Sequence, residues 1–398
     1  KPCDIQEAKK DMDYVKAFKR LGLASSSLYP QKLKQLIKES NSSCFDDIYG
    51  VKDGLIAINV KELVENTFMR IMKNKEKKVK YMDFVFDKEK IKIKDFYVRG
   101  IKLRILLNPA RYEYVSRTTT YLNRPSAYEE LKVTLPHKIS CGHQHCRFCV
   151  MDEKERNLSI ISNLEIERKA YRLGVNPSPW GENHILLIGR GKLAQRVNKN
   201  NLKAALMFSQ LLGNSYEGVF NSVLASASVY HLHYHFLKEI STIWSNLKNN
   251  KLNKSIILKK KGVNIEQIDG WFAETLLFES LEIDSLVNII SNFIYLLERE
   301  NIPYNLSFKY NKIFQIILYL RSVSSEKPQK VNSYPDSWGR YGAIEMGGTL
   351  ILLNEKGFNE MCKGDMGKNL IDAMREMSVS LEVKEKLIEE FIEALGSV

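Results

Sequence analysis

Three histidines alternate with apolar residues in the segment Tyr230 to Phe236, as His231, His233 and His235. Because side chains two residues apart on a strand point to the same face, this spacing predicts a row of three imidazoles whose neighbours face an apolar core. A neutral imidazole is a nucleophile toward phosphorus, a proton carrier and a metal ligand. The segment therefore predicts either a nucleophile for group transfer at phosphorus or a metal-binding strand.

Two further features place the chemistry of the chain in this region. All seven histidines lie between His137 and His235. A run of small residues, Ala225 to Ser228, leads into the histidine segment, and small side chains let backbone N–H groups and hydroxyls approach a bound phosphate closely. No P-loop or G-x-G-x-x-G motif occurs where it would offer another phosphate site. We therefore interpret this region as the chemical centre.

A C-x-x-C knuckle, Cys146 and Cys149, precedes the histidine segment. Such a knuckle supplies two ligands of a tetrahedral zinc site. We expect one structural zinc ion whose other ligands come from Cys141, His143, His145, or the more distant His184 and His231. The alternative is a group of reduced, buried thiols that pack as small hydrophobic side chains. No motif for an organic cofactor occurs.

The chain has 398 residues and a formal net charge of +13. Its length suffices for about two to three domain-sized units. Its charge favours anionic partners such as nucleotides, sugar phosphates, nucleic acid or an acidic membrane surface. The polar start of the sequence is unlike a signal peptide, and no apolar run reaches the roughly 18 residues that a membrane span needs. We therefore expect a cytoplasmic protein with reduced cysteines and no membrane segment.

Periodicity and charge divide the chain into a helical N-terminal extension, a half that carries the histidines, a basic linker and a second half, over residues 1–80, 81–245, 246–270 and 271–398. Amphipathic spacing predicts helices in the extension, over 4–22, 31–40 and 60–76. Short alternating strands begin near residue 81. Lysines without any acidic residue occupy 246–261, which is typical of a solvated linker.

Three motifs follow one another: the cysteine knuckle, an N-P-x-P-x-x-x-x-H segment from Asn176 to His184, and the small-residue turn leading to H-x-H-x-H. This set resembles the histidine-triad superfamily, in particular its large branch with galactose-1-phosphate uridylyltransferase, diadenosine tetraphosphate phosphorylase and GDP-hexose phosphorylases. Asn176 to Ile188 and Phe220 to Lys238 are most similar to the GDP-L-galactose and GDP-glucose phosphorylases. The resemblance covers about residues 100–375.

The resemblance implies an α+β fold of two histidine-triad-like halves with mainly antiparallel sheets, of which only the first keeps the histidines. It also implies nucleotidyl transfer through a covalent nucleotidyl-histidine at the middle histidine, His233. His231 would orient the site or bind metal. Residues expected to bind the substrate are Asn221, Ser226, Ser228, Arg111 and His184; the first three match phosphate contacts of the family, and an arginine fork suits phosphate oxygens.

We therefore expect an enzyme that transfers a nucleotidyl group from a nucleoside-diphosphate sugar, such as a GDP-hexose, to phosphate or a sugar phosphate. His235 stands where phosphorylases and transferases of this family usually carry glutamine. Because imidazole can accept a proton where an amide cannot, water is a third acceptor. The alternatives are a phosphorylase or hydrolase of dinucleoside polyphosphates and a non-catalytic protein that binds nucleotides or nucleic acid. The oligomeric state is left open.

Overall fold

The computed structural model describes residues 23–25, 49–52, 55–58, 91–108, 148, 160–166, 169–176, 179–191, 193–227, 229–322, 341–352 and 354–396. The strands are β1 (Leu23–Ser25), β2 (Tyr49–Lys52), β3 (Leu55–Ile58), β4 (Lys92–Val98), β5 (Ile101–Leu107), β6 (Ile160–Ile166), β7 (Lys169–Val175), β8 (Ile185–Gly189), β9 (Tyr216–Asn221), β10 (His233–Lys238), β11 (Asn253–Lys260), β12 (Val263–Asp269), β13 (Thr275–Ser280), β14 (Tyr304–Asn311), β15 (Ile313–Leu320) and β16 (Thr349–Leu352). The helices are α1 (Lys199–Leu212), α2 (Thr242–Lys248), α3 (Ile283–Arg299), α4 (Ala343–Met346), α5 (Glu355–Lys363), α6 (Met366–Glu376) and α7 (Leu381–Gly396).

Within these ranges the strands form one long sheet in the order β1-β6-β7-β8-β10-β9-β14-β15-β13-β12-β11, a small sheet β16-β5-β4 and the hairpin β2-β3. Neighbouring strands of the long sheet are antiparallel, whereas β16 and β5 are parallel. The predicted α+β class with mainly antiparallel sheets is confirmed.

The long sheet contains the same arrangement twice. In sequence the first unit is β6-β7-β8-α1-β9-β10 and the second is β11-β12-β13-α3-β14-β15. If the five strands of each unit are numbered along the sequence, their order across the sheet is first, second, third, fifth, fourth in both units. The fourth strands meet at the centre, where Asn221 of β9 is the register partner of Asn305 of β14. The topology therefore shows two related halves and makes β15 the counterpart of β10.

One face of the long sheet packs against α1, α3 and α7. Helix α3 presents a fully buried stripe at helical spacing, namely Leu286, Ile290, Phe293 and Leu297. Tyr234 and Phe236 of β10 join the same core, and burial of each such side chain contributes roughly 1.5–3 kcal/mol. The opposite face, which includes Val219 and Leu237, is covered in part by the small sheet and by α4, α5 and α6.

The predicted basic linker over 246–270 is wrong, because the segment comprises the end of α2 and the edge hairpin β11-β12. Lysines on an outermost strand discourage pairing with another sheet edge. One of these lysines is paired with acids on the next two strands of the sheet: Lys254 Nζ contacts Glu266 Oε2 at 2.9 Å and Glu279 Oε2 at 2.6 Å. Lys254, Lys259 and Lys260 are thus part of the sheet.

The helices expected over 4–22, 31–40 and 60–76 lie outside the described residues. The described parts of 1–80 are three short strands between those segments, and β1 pairs with β6 at the edge of the long sheet. Among the helices of the described ranges, none is both long and apolar enough to cross a membrane.

Candidate active site

The histidine row lies along β10 and the residues just before it. His231, His233 and His235 are 2%, 2% and 6% exposed. Strand β10 pairs with β8 on one side and β9 on the other. An isolated backbone bridge between Ala194 and His231 adds pairing just before β10 begins. Because Tyr234 faces the apolar core beneath, the backbone that carries the imidazoles is fixed.

His233 has the tautomer that a nucleophile requires. Its Nδ1 lies 2.7 Å from the carbonyl oxygen of His231; since a carbonyl only accepts, Nδ1 carries the proton and Nε2 keeps its lone pair. Burial lowers the pKa of His233 to about 4, although the hydrogen bond to His231 opposes this shift. The imidazole is therefore neutral near pH 7. The ring of Phe148 meets it edge to face at a centroid distance of 5.2 Å.

Gln195 fixes the backbone at the point where β9 and β10 separate. Its Oε1 accepts a 2.9 Å hydrogen bond from His233 N–H. Its Nε2 donates to the carbonyl oxygens of Asn221 at 2.9 Å and of His233 at 3.3 Å. Asn221 and His233 thus lie side by side. Sequence reasoning missed Gln195, because nothing in its local pattern separates it from a surface glutamine.

His231 donates from Nε2 to the carbonyl oxygen of Gly189 at 2.6 Å. A metal ion bound by His231 would therefore have to use Nδ1. In the described ranges no group of three ligand-type side chains could hold a metal ion. The expected zinc ligands Cys141, His143, Cys146 and Cys149, with His145, lie outside those ranges, so the zinc site stays a prediction.

A chain of hydrogen bonds sets the tautomer of His235. The backbone N–H of Trp180 donates to Nδ1 of His184 at 3.0 Å, so His184 carries its proton on Nε2. That nitrogen lies 2.9 Å from Nδ1 of His235, which must accept. His235 therefore carries its own proton on Nε2 and presents a donor, as a glutamine amide at this position would.

Two side chains hold this pair of rings in place. Trp180 stacks on His235 with a centroid distance of 4.2 Å and an interplanar angle of 29°. The amide nitrogen of Asn176 lies 3.3 and 3.1 Å from the two ring nitrogens of His184. The N-P-x-P-x-x-x-x-H segment thus supports the histidine row, and His184 reaches the site through His235.

The small-residue turn after β9 is folded tightly. Leu224 and Ser226 have φ angles of 69° and 74°, a left-handed conformation rare for residues other than glycine. The N–H groups of Ala225 and Ala227 both donate to the carbonyl oxygen of Ser222. Ser226 Oγ donates to Tyr341 O at 2.9 Å, which anchors the turn. Of the other expected phosphate ligands, Ser228 and Arg111 lie outside the described residues.

Asn221 lies beside His233 on the adjacent strand, and two donors orient its side-chain amide. Its Oδ1 accepts from Asn305 Nδ2 at 2.8 Å and from Ala343 N at 3.0 Å. Gly342 allows this approach, since a Cβ there would lie 3.2 Å from both amide atoms of Asn221. Asn305 and Ala343 belong to the second half, so the second half contributes to the site.

The second half also carries a buried cation, Arg321, which contacts the Asn305 side chain. Arg321 is 0% exposed. Burial lowers its pKa to about 10, and Glu345 partly offsets that effect. The guanidinium is therefore charged at neutral pH. The sequence analysis assigned Arg321 no role in the site.

Comparison with known proteins agrees with this architecture. Residues 247–397 match the family model described as GDPGP1-like, C-terminal domain. The crystal structure of yeast Ap4A phosphorylase Apa2 in complex with Ap4A has a TM-score of 0.54 and 14% identity, covering 81% of this chain and 98% of that one. The complex of the same yeast enzyme with AMP has a TM-score of 0.52 and 15% identity, covering 82% and 99%.

At these identities the solved structures show a shared fold. No curated protein sequence matches the chain significantly. The family match covers the second half, and the shared fold extends over the histidine-bearing half as well. Residues 247–397 are thus similar to a GDPGP1-like C-terminal domain, and the chain shares the fold of yeast Ap4A phosphorylase Apa2.

Proposed function

We propose that this protein transfers a nucleoside monophosphate group from a nucleoside-diphosphate sugar to phosphate or a sugar phosphate, through a covalent intermediate on His233. The observation that carries the proposal is the hydrogen bond from His233 Nδ1 to the carbonyl oxygen of His231. It leaves the Nε2 lone pair available in a buried, neutral ring. The family match to a GDPGP1-like domain supports a nucleoside-diphosphate sugar as donor.

In the first step His233 Nε2 attacks the α-phosphorus. The Nε2–P bond forms as the P–O bond to the sugar phosphate breaks, and the leaving oxygen takes the electron pair. The ring becomes an imidazolium whose positive charge is stabilised by the Nδ1–H bond to His231 O. Asn221 Nδ2 and the Nε2–H of His235 are donors beside the reacting ring, suited to the charge that develops on the phosphate oxygens.

In the second step an oxygen of the acceptor attacks the same phosphorus. The Nε2–P bond breaks, the electron pair returns to Nε2, and neutral His233 is restored. Hydrogen phosphate as acceptor gives a nucleoside diphosphate and releases its proton to solvent. Two displacements of moderate barrier thus replace one difficult step. Because His235 presents a donor, it is arranged to stabilise charge rather than to activate water as a base.

A dinucleoside polyphosphate is the second candidate donor. The structural similarity to yeast Ap4A phosphorylase Apa2 extends over most of both chains and favours it. The two donors are attacked by the same chemistry and differ in the leaving group, which is a sugar phosphate in one case and a nucleotide in the other. The reaction class is therefore common to both proposals.

One experiment tests the reaction class and the donor together. GDP-, ADP- and UDP-sugars and diadenosine polyphosphates, labelled at the α-phosphate, are incubated with the protein without acceptor. We expect a protein-bound label that is stable in base and labile in acid, as a phosphoramidate is, and that is released by phosphate. His233→Ala should not be labelled. A label on a different residue, or turnover undiminished in His233→Ala, would contradict the covalent route.

A further inference from the structure

Arg321 lies beside the centre of the long sheet and makes hydrogen bonds to neutral groups. Its Nη1 donates to Asn305 Oδ1 and, at 2.8 Å, to the carbonyl oxygen of Tyr341. Its Nε donates to the carbonyl oxygen of Met377 at 3.1 Å, and its Nη2 lies 3.3 Å from the Met377 sulfur. A guanidinium has donors only. Whatever faces Arg321 must therefore be an acceptor.

This restriction determines the orientation of two amides in succession. Asn305 must turn Oδ1 toward Arg321, so its Nδ2 faces the other way and donates to Asn221 Oδ1 at 2.8 Å and to Ala225 O at 2.7 Å. Asn221 must then turn its own Oδ1 toward Asn305. The Nδ2 of Asn221 is then the donor on the side away from Asn305. The usual ambiguity between the oxygen and nitrogen of an amide is removed by the arginine.

The Nδ2 donor of Asn221 lies next to the nucleophile. Asn221 and His233 occupy adjacent strands, and Gln195 Nε2 donates to the carbonyl oxygens of both. Register pairing of His235 with Val219 and of Asn305 with Asn221 puts these side chains on one face of the sheet. The hydrogen bonds from Arg321 to Asn305 and from Asn305 to Asn221 form a relay. This relay also stabilises the small-residue turn, because Asn305 donates to Ala225 O.

We propose that Arg321 is a positioning residue for nucleotidyl transfer: through Asn305 it holds the amide nitrogen of Asn221 as a donor to the substrate phosphate beside His233. This inference rests on the proposed function and adds to it a role for the half without histidines. The half without histidines thereby fixes the orientation of the Asn221 amide, which is a hydrogen-bond donor to phosphate in the other half. Arg321 does not itself touch the substrate.

The variant Asn305→Asp separates this role from mere stability. A carboxylate still accepts from Arg321, now as a charge-assisted pair, so the fold should be kept. It cannot donate to Asn221 Oδ1 or to Ala225 O, so oxygens would face each other at both contacts and only Ala343 N–H would still hold Asn221 Oδ1. Rotation of the Asn221 amide would relieve its repulsion and turn its oxygen toward the phosphate. We expect binding of a nucleoside monophosphate, measured by calorimetry, to weaken by about 10-fold or more. KM for the donor should rise more than kcat falls.

Ser307→Ala is the matched control. Ser307 lies two residues further along β14 on the same face, and it donates to Glu217 and accepts from Trp244, away from the relay. We expect this variant to lose stability without weakening nucleotide binding. Arg321→Lys is the second variant, because an ammonium keeps a donor for Asn305. It should bind the nucleotide more tightly than Asn305→Asp does.

Two results would overturn the relay: folded Asn305→Asp that binds the nucleotide as tightly as wild type, or, if that variant does not fold, folded Arg321→Met with unchanged nucleotide binding. Failure of the proposed function looks different. In that case the wild-type protein acquires no label from any donor, while the calorimetric comparison of the variants still decides whether the relay orients Asn221.

Discussion

Nδ1 of His233 lies 2.7 Å from the carbonyl oxygen of His231. This contact determines which nitrogen of His233 can attack, and it links the chemistry of the site to a backbone atom that no side-chain substitution removes. In the proposed reaction the first and second histidines of the row therefore have different roles: His231 supplies a carbonyl oxygen, and His233 supplies the nucleophile.

The acid limb of the labelling rate should lie at low pH. Burial lowers the pKa of His233 to about 4. The ring therefore stays neutral at about pH 6.5, the pH at which an ordinary histidine is half protonated. We expect the single-turnover rate of label incorporation to be nearly constant between about pH 8 and 5.5 with respect to this group. An acid limb centred near pH 6.5 would contradict the assignment of His233 as the buried nucleophile.

The same shift predicts a loss of stability in acid. Below about pH 6.5 the unfolded chain takes up a proton on His233, whereas the folded chain does so only near pH 4. The free energy of unfolding should therefore fall with decreasing pH through this window, by up to about 3 kcal/mol from this group. Urea denaturation of wild type and His233→Gln at pH 7 and pH 5 measures the difference, which should be smaller in the variant.

His235→Gln should retain nucleotidyl transfer. The hydrogen-bond order from Trp180 through His184 gives His235 a proton on Nε2, and a glutamine amide offers an equivalent donor. We expect His235→Gln to keep at least about a tenth of the wild-type rate, and His235→Ala to lose about 10²-fold, as when one donor to developing charge is removed. If Gln and Ala variants were equally impaired, the ring would act as more than a donor.

Gln195→Glu should destabilise the fold and slow labelling together. A carboxylate still accepts from His233 N–H, but it cannot donate to the carbonyl oxygens of Asn221 and His233. Leaving those groups unsatisfied in a buried place costs at least about 1–3 kcal/mol. Gln210→Glu, on the exposed side of α1, is the control. Thermal unfolding compares the two, and equal melting temperatures would show that Gln195 is dispensable.

Gly342→Ala should weaken nucleotide binding with little loss of stability. Its φ of −103° suits alanine, but the new Cβ would lie 3.2 Å from the Asn221 amide and displace it. We expect a 3- to 10-fold weaker complex with a nucleoside monophosphate, equivalent to about 1 kcal/mol. Gly396→Ala, where an added Cβ meets nothing within 4 Å, is the control. Unchanged affinity in Gly342→Ala would show that the position of Asn221 does not matter.

Elemental analysis of protein purified without chelator should find about one equivalent of zinc, as a closed structural site binds one ion. Cys146→Ser together with Cys149→Ser should remove the metal. Less than about a tenth of an equivalent in a normally folded wild type would reject the zinc site and favour reduced, packed thiols.

The alternation of His231 to Phe236 was sufficient to predict which side chains share a face, because a period of two is a local property of a strand. The role of Asn305 was not predictable in this way. It depends on pairing with Asn221, 84 residues earlier in the chain, and no local pattern announces such a partner. Lys254 was misassigned for the same reason, since Glu266 and Glu279 face it only after the strands have paired.

The junction between β9 and β14 makes the two halves a single hydrogen-bonded body. If the chain were cut between them, each piece would expose the unpaired backbone of an inner strand, the kind of edge through which proteins aggregate. The strand that carries His233 is only one strand away from this seam. The half without histidines is therefore needed by the other half, because its loss would expose β9 and remove Asn305 and Ala343, the two groups that orient the Asn221 amide.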